Sequence, residues 1–380
     1  MKHILFFIVL LTLMTVLPRP LKHVDIDLSK PQEEPTLIPL EPNISEKEII
    51  LSRYTVEQKV GQLFIFGFDG TNLNEQNIQF LVNNNIGGVL LLGKNVENQK
   101  QLKNLISEIQ NANEIPLFIS IDQEGDPVSR IKWDKSITKP QREINTPEEA
   151  YQDALTKGNY LKEIGVNMNF APVIEYIQDK NSFIYNRAYT GDREDVIQKS
   201  VSSIDGYSEV GIISVPKHYP GHSDTSTDSH YDLPVVNIKD EQWDEYIKPF
   251  SEVLNQTNVD AMMVGHVQFP HIDENPTTLS KEIINNKLIN QLQYDGLVIS
   301  DDMEMGAIDN LDTYPRLTKK ALEAGIDILI FSKYSSKDPQ IQRDVYNYIL
   351  QEVKNGNLNI DEKFLKILRI KMKYNILSNR

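Results

Sequence analysis

The stretch Leu297–Asp302, LVISDD, decides the fold: three apolar residues and a small hydroxyl lead straight into two carboxylates. A short run that is apolar on both faces reads as a strand buried on both sides, the pattern of a parallel sheet covered by helices. Seven further runs share it, at 63–68, 87–92, 116–122, 167–172, 212–218, 261–267 and 328–332. Each is separated from the next by a crossover long enough for a helix. The segments 98–111 and 146–164 have helical periodicity, and 283–292 follows Ser280, a suitable N-cap. Eight β-α units in roughly 330 residues predict an α/β fold, a (β/α)8 TIM-type barrel with a single catalytic domain. A doubly wound sheet would show fewer strands and a Gly-rich nucleotide loop after the first, and no such loop is present.

A barrel carries its chemistry at the C-terminal ends of its strands. Asp122 ends the third run, Lys217 and His218 the fifth, His266 the sixth and Asp301 the seventh. The fifth run opens into KHYPGHSDTSTDSHYDL, 217–233, which holds three of the seven histidines in a loop rich in Ser, Thr, Asp and Gly. Residues of that kind favour turns over regular structure and suit proton chemistry.

Composition narrows the partners. The 380-residue chain has 54 acids against 39 Lys and Arg, a formal charge of −15, which repels nucleic-acid phosphates and anionic membrane surfaces. A nucleic-acid partner is not expected. With no cysteine there is no disulfide, thiolate nucleophile or Cys-based metal site.

At the N-terminus, Lys2 and His3 precede an uninterrupted apolar run at 4–17, too short for a comfortable span and the length of a secretory core segment. Residues 1–20 are therefore expected to be a signal peptide or an N-terminal membrane anchor. No small-x-small cleavage site and no lipobox cysteine follow it. Residues 21–46, with Pro31, Pro35, Pro39 and Pro42 among acids, read as an extended spacer, and 47–380 as the barrel domain. The expected location is outside the cytoplasm, extracellular or in the cell envelope.

Several side chains suit chemistry on a small polar substrate. At least one of Asp301 and Asp302 should face the barrel mouth as nucleophile or electrostatic stabiliser, while one of the pair is expected to be the N-cap of the helix that follows, MEMGAI. His230 lies two residues after Asp228, whose carboxylate would fix the imidazole tautomer and keep a proton available. Asp122 and Arg130 in IDQEGDPVSR, Arg187 in NRAYTGD, and Lys217 are of the kind that clamps sugar hydroxyls or a carboxylate. His218, His222, Asp224 and His230 also offer ligand types suited to zinc. Against a metal, no histidine occurs between His23 and His218 to supply a ligand from an early strand. His266 reads as a hydrogen-bonding strand-end histidine and His271 as a surface residue.

Taken together, these residues resemble the bacterial β-N-acetylhexosaminidases of glycoside hydrolase family three, over about 52–377. The similar segments are EQKVGQLF, GGVLLLGKN, IDQEG, GVNMNFAPV, NRAY, KHYPGHSDTSTDSHYDLP and SDDMEMGAI. The KH-x-PGH-x-DT-x-x-DSH string is the most specific of them. The resemblance implies that Asp301, not Asp302, is the nucleophile, that His230 is the acid/base with Asp228 as its partner, and that Asp122, Arg130, Arg187, Lys217 and His218 bind the N-acetylglucosamine unit. It implies a retaining mechanism, no metal and no cofactor. The substrate would be a terminal β-linked N-acetylglucosamine of muropeptides or related glycans, and the enzyme a monomer.

Three positions depart from the family pattern: Asp126 and Ser223 stand where Gly is frequent, and Glu175 where Asp is frequent. The loop carrying His230 has no large apolar anchor before Tyr231 and is expected to close over substrate. Alternatives are a β-glucosidase or phosphorylase of the same family, a zinc-dependent hydrolase built on the histidine cluster, and a sugar-binding protein that has lost catalysis. The β-glucosidases commonly draw their acid/base from an additional C-terminal domain, whereas this chain carries a candidate in its fifth loop.

Overall fold

The computed structural model describes residues 45–72, 75–223, 225–333 and 340–377. The candidate leader and most of the spacer lie outside the described residues. Residues Glu46–Arg380 form one compact unit.

All eight expected strands form: β1 Phe64–Gly67, β2 Gly88–Leu91, β3 Phe118–Ile121, β4 Met168–Asn169, β5 Ile213–Ser214, β6 Ala261–Val264, β7 Leu297–Asp302 and β8 Ile328–Phe331. They pair in parallel in the order β5-β4-β3-β2-β1-β8-β7-β6. The seam between β5 and β6 closes through the backbone that continues β5. Tyr219 donates to Met263 O at 2.8 Å, Gly265 to Tyr219 O at 3.0 Å and Met263 to Pro216 O at 3.0 Å. The first five predicted runs overshoot their ladders at both ends and those at β6 and β8 at the C-terminal end alone, because the apolar tract continues into core-lining turns, whereas 297–302 coincides with β7.

Helices follow each strand: α1 Glu75–Asn83, α2 Gln99–Ala112, α3 Pro147–Ile164, α4 Arg193–Glu209, α5 Lys248–Gln256, α6 Glu282–Gln291, α7 Tyr314–Ala324 and α8 Ile341–Lys354. Their ends are written in the sequence. Asn98 Oδ1 caps Gln101 N at 3.0 Å and Thr146 Oγ1 caps Glu149 N at 3.2 Å. Pro147 opens α3, and Gly165 closes it at φ 95°, a left-handed conformation that suits glycine. Ser280 Oγ accepts from Ile283 N at 3.0 Å, but the helix that follows is wound as a π-helix. One face of α2 buries Leu102, Leu105, Ile106 and Ile109 against the sheet.

A last helix, α9 Asp361–Lys373, closes the N-terminal end of the barrel. Its Lys371 is fully buried and donates to Gln62 Oε1, Gly87 O and Pro116 O at 2.6 to 3.0 Å. Burial pulls that ammonium down to about 7. With this end plugged, the opposite mouth is where a ligand can enter.

Candidate active site

At the C-terminal mouth lies a cavity of about 370 Å³ whose lining includes Asp122, Arg130, Arg187, Lys217, His218, Asp228, His230 and Asp301. Every site residue expected from the sequence is therefore gathered around one space.

The floor and one wall form a buried ionic lattice. As β3 runs on past Ile121, side chains two apart share a face, so Asp122 and Glu124 both turn inward. Lys217 Nζ lies 2.8 Å from Asp122 Oδ1 and 2.6 Å from Glu124 Oε1. Arg130 Nη2 meets Asp122 Oδ2 at 3.0 Å. Arg187 grips Glu124 with two hydrogen bonds, of 3.0 and 2.8 Å. Burial works to raise both carboxyls, but the cations outweigh it and hold each well below its usual range. The intervening Gln123 points away and pins the hairpin that carries Arg130. Its amide accepts from Arg130 N and Ile131 N and donates to Ile131 O and Ile137 O.

Glu175, past β4, organises the start of the histidine loop. It accepts from His218 Nδ1 at 2.7 Å, from His222 Nδ1 at 3.1 Å and from both backbone N–H groups of these residues. Burial and the neighbouring Arg187 pull the His218 imidazole down to about 4 despite Glu175, so His218 is neutral at neutral pH. With Nδ1–H committed to Glu175, its Nε2 faces Arg187 Nη2 at 3.3 Å.

On β7 the two aspartates divide their roles. Neither is the N-cap of the short helix Gly306–Asp309, whose cap position is Met305; Asp302 ties the turn to the end of β8 instead, its Oδ1 accepting from Glu304 N and Ser332 N, both at 3.2 Å, and Ser332 Oγ also bonding the carboxyl. Burial and the nearby Glu304 charge push Asp302 up to about 7. Asp301 is held below its ordinary value. Burial opposes this, but the His218, His266 and His230 imidazoles and the N–H of Asp302, at 2.8 Å, prevail. Beneath it, the buried His266 bonds Thr278 Oγ1 at 2.6 Å and Asp302 O at 3.0 Å. Since a carbonyl only accepts, Nε2 carries the His266 proton. His271 is exposed.

Opposite this wall, Asp228 and His230 form a dyad on the loop after β5. Asp228 Oδ1 lies 2.7 Å from His230 Nδ1 and accepts the His230 backbone N–H at 3.0 Å. Burial tends to raise the Asp228 carboxyl, but the hydrogen bonds from His230 hold it below its usual range. The pairing places the ring proton on Nδ1 and leaves Nε2 to exchange a proton with a ligand.

Two site residues were not singled out from the sequence as acting there. Glu124, between Arg187 and Lys217, had a usable signal in its two-residue spacing from Asp122. Glu175 was noted only as a departure from Asp, and its longer arm is what reaches both imidazoles. Of the other departures, Ser223 adopts φ 56°, in the region that favours glycine, whereas Asp126 does not.

Glu175, His218 and His222 bring ligand-type atoms within 4.8 Å of one another. They do not fit a metal as they stand, because the Glu175 oxygens accept imidazole and backbone protons and a guanidinium lies beside His218 Nε2. His230 is paired with Asp228 instead, and Asp224 lies outside the described residues.

Residues 55–370 match the glycosyl hydrolase family 3 N terminal domain. The chain belongs to this family. A β-hexosaminidase from Tolumonas auensis is 30% identical over 270 residues, covering 69% of this chain and 80% of its own length. Among solved structures, a family 3 β-N-acetylglucosaminidase from Paenibacillus superposes with a TM-score of 0.79 at 31% identity, over 85% of this chain and 63% of that one. A zinc-bound structure of CbsA from Thermotoga neapolitana gives 0.74 at 25% identity, over 85% and 69%. The chain thus spans somewhat less than two thirds of the Paenibacillus protein. It is a glycoside hydrolase with a carbohydrate substrate, and its (β/α)8 barrel is that of its relatives.

Proposed function

We infer that this enzyme is a retaining exo-β-N-acetylhexosaminidase that removes terminal β-linked N-acetylglucosamine. The observation that carries the reading is that Asp301 and His230 line one cavity, the first part-buried at a strand end and ionised, the second on a loop at the rim. Asp301 adds to the anomeric carbon while His230 protonates the leaving oxygen; His230 then takes a proton from water as the glycosyl–Asp301 bond breaks. His230 gives its Nε2 proton as the imidazolium and is neutral afterwards, so unlike a second carboxylate it never places a negative charge beside Asp301. Asp122, Arg130, Arg187, Lys217 and His218 hold the sugar, with Glu124 and Glu175 fixing the cations and the imidazole. The cavity sits at the small end of the range for ligand sites, about 300–1,000 Å³, which suits one terminal unit better than a polymer.

The preference for the N-acetyl sugar is supported by the names of the relatives, and muropeptides or related wall fragments are the proposed source. The leader-like 4–17 segment and the Pro-rich spacer support export to the cell envelope, with 1–20 either cleaved or retained as an anchor. The site is complete without a second subunit, and action as a monomer is the reading adopted. Cell fractionation and light scattering test these two assignments.

The reaction is tested with a slow fluorinated N-acetylglucosaminyl substrate and mass spectrometry. An adduct on Asp301 is expected, and one on Asp302 would overturn the assignment. Turnover of aryl N-acetyl-β-glucosaminide should be indifferent to chelator. Turnover of the glucoside alone would refute the N-acetyl preference, and product analysis on peptidoglycan fragments tests the source.

A further inference from the structure

We propose that Gly306 is a positioning residue that seats the acid/base loop against the segment bearing the nucleophile. The inference rests on the roles given above to Asp301 and His230. Five residues after Asp301, the backbone N–H of Gly306 donates to His230 O at 3.1 Å, and that of Ala307 donates to Ser229 O at 3.2 Å. A β-carbon on Gly306 would lie 2.5 Å from Tyr231 O and 2.9 Å from both His230 O and Tyr231 C. These are backbone atoms of the loop, so they cannot step aside as the end of a flexible side chain could.

Side-chain packing does little to hold this part of the loop. The Tyr231 side chain is 77% exposed, so the one large aromatic beside the dyad is not an anchor. The His230 and Asp228 side chains are 46% and 36% exposed. The chain is instead fixed on either side. Tyr246 Oη donates to Gly221 O at 2.6 Å before it, and Gln268 N donates to Pro234 O at 2.8 Å beyond it. Between those ties, the bonds to Gly306 and Ala307 set the height of His230 over the cavity. Because they come from the turn that follows Asp301, acid and nucleophile are referenced to one piece of backbone. Buried Met303 and Met305 lock that turn into the core.

Replacing Gly306 with Ala forces the loop away while leaving the ionic wall and Asp301 in place. A displacement of about 1 Å in a reacting group can cost roughly 10²-fold in rate, so a loss of that order is expected on diacetylchitobiose, whose leaving sugar needs a proton. On 2,4-dinitrophenyl N-acetyl-β-glucosaminide, whose leaving group needs none, the first step should survive. The slowed water step should then give a burst of dinitrophenolate, and azide should restore turnover and yield the β-glycosyl azide. Ala307→Pro removes only the N–H bonded to Ser229 O, at a position near a helix start that tolerates proline, and should show a weaker form of the same pattern.

Equal losses on both substrates without azide rescue, or wild-type kinetics in G306A, would overturn the proposal. If G306A does not fold, wild-type kinetics in Ala307→Pro would overturn it. Failure of the underlying site is separable, since then the fluorosugar would not label Asp301 in the wild type and His230→Ala would show no dependence on leaving group.

Discussion

The two sides of the cavity are built in opposite ways. On one, the buried Lys217 and Glu124 and the largely covered Asp122 each have two charged partners, so the wall is preorganised before substrate arrives. On the other, Asp228 and His230 sit half exposed on a loop tied down by backbone hydrogen bonds. Burying a fixed charge is tolerable only when it stays paired, whereas a group that must give up and regain a proton needs access to solvent and room to adjust. Removing a wall residue should therefore damage stability and binding together, and removing a dyad residue should damage rate alone.

The largest expected effect lies where both sides converge. Asp301→Asn should lower kcat/KM by at least about 10⁴-fold and abolish the fluorosugar adduct. Substantial residual turnover with retention would break the scheme at its centre. Lys217→Met comes next, because it strands Asp122 and Glu124 without their shared cation. Breaking a buried pair from one side costs about 3–5 kcal/mol, visible in denaturant unfolding, and KM should rise as well. His230→Ala is the contrasting case: a loss of about 10²–10⁴-fold in rate with folding stability within about 0.5 kcal/mol of wild type, and partial rescue by azide. If the two variants destabilise the protein equally, the distinction between wall and loop is wrong.

The same contrast has a pH signature. Asp122, Glu124 and Glu175 titrate lower in the folded chain than in the unfolded one. The stability they contribute is fully present above the ordinary carboxylate range, about pH 4, and is lost as pH falls through their folded values. Asp302 runs the other way. Raised to about 7, it contributes stability that is present below its unfolded value and lost as pH rises through 7. Asp302→Asn should flatten the decline in melting temperature between pH 5 and 8, leaving the acid limb to the wall.

Legibility in the sequence followed local rules. The eight strands could be read because each is apolar on both faces, and α2 and α3 because their apolar residues recur at helical spacing over 98–111 and 146–164. The π-helical winding of α6 could not be read, since its residues are ordinary helix formers and the register is decided by packing. At the cavity, strand-end position was enough to bring Asp122, Lys217 and Asp301 together in its lining. That Asp302 rather than Asp301 is tied up in hydrogen bonds was beyond periodicity, because it depends on Ser332 and Glu304 reaching Asp302 from the end of β8 and the turn after β7. The seat of the loop on Gly306 was equally hidden, for it joins backbone atoms some 75 positions apart in a chain whose contacts only the closed barrel creates.

The smallest effect tests whether the loop side carries strain. Ser223, at φ 56°, occupies a conformation that costs a side-chain-bearing residue about 1–2 kcal/mol, and glycine relieves that. Glycine also loosens the unfolded chain by about 0.4–1 kcal/mol, so the two terms nearly cancel and Ser223→Gly should change global stability by less than about 1 kcal/mol. Hydrogen exchange at Gly221–Tyr231 should respond more than the melting temperature, because relief at one loop residue alters local opening more than global unfolding. A large loss of stability would mean that the Ser223 side chain braces the loop, which would make this side of the cavity as preorganised as the ionic wall it faces.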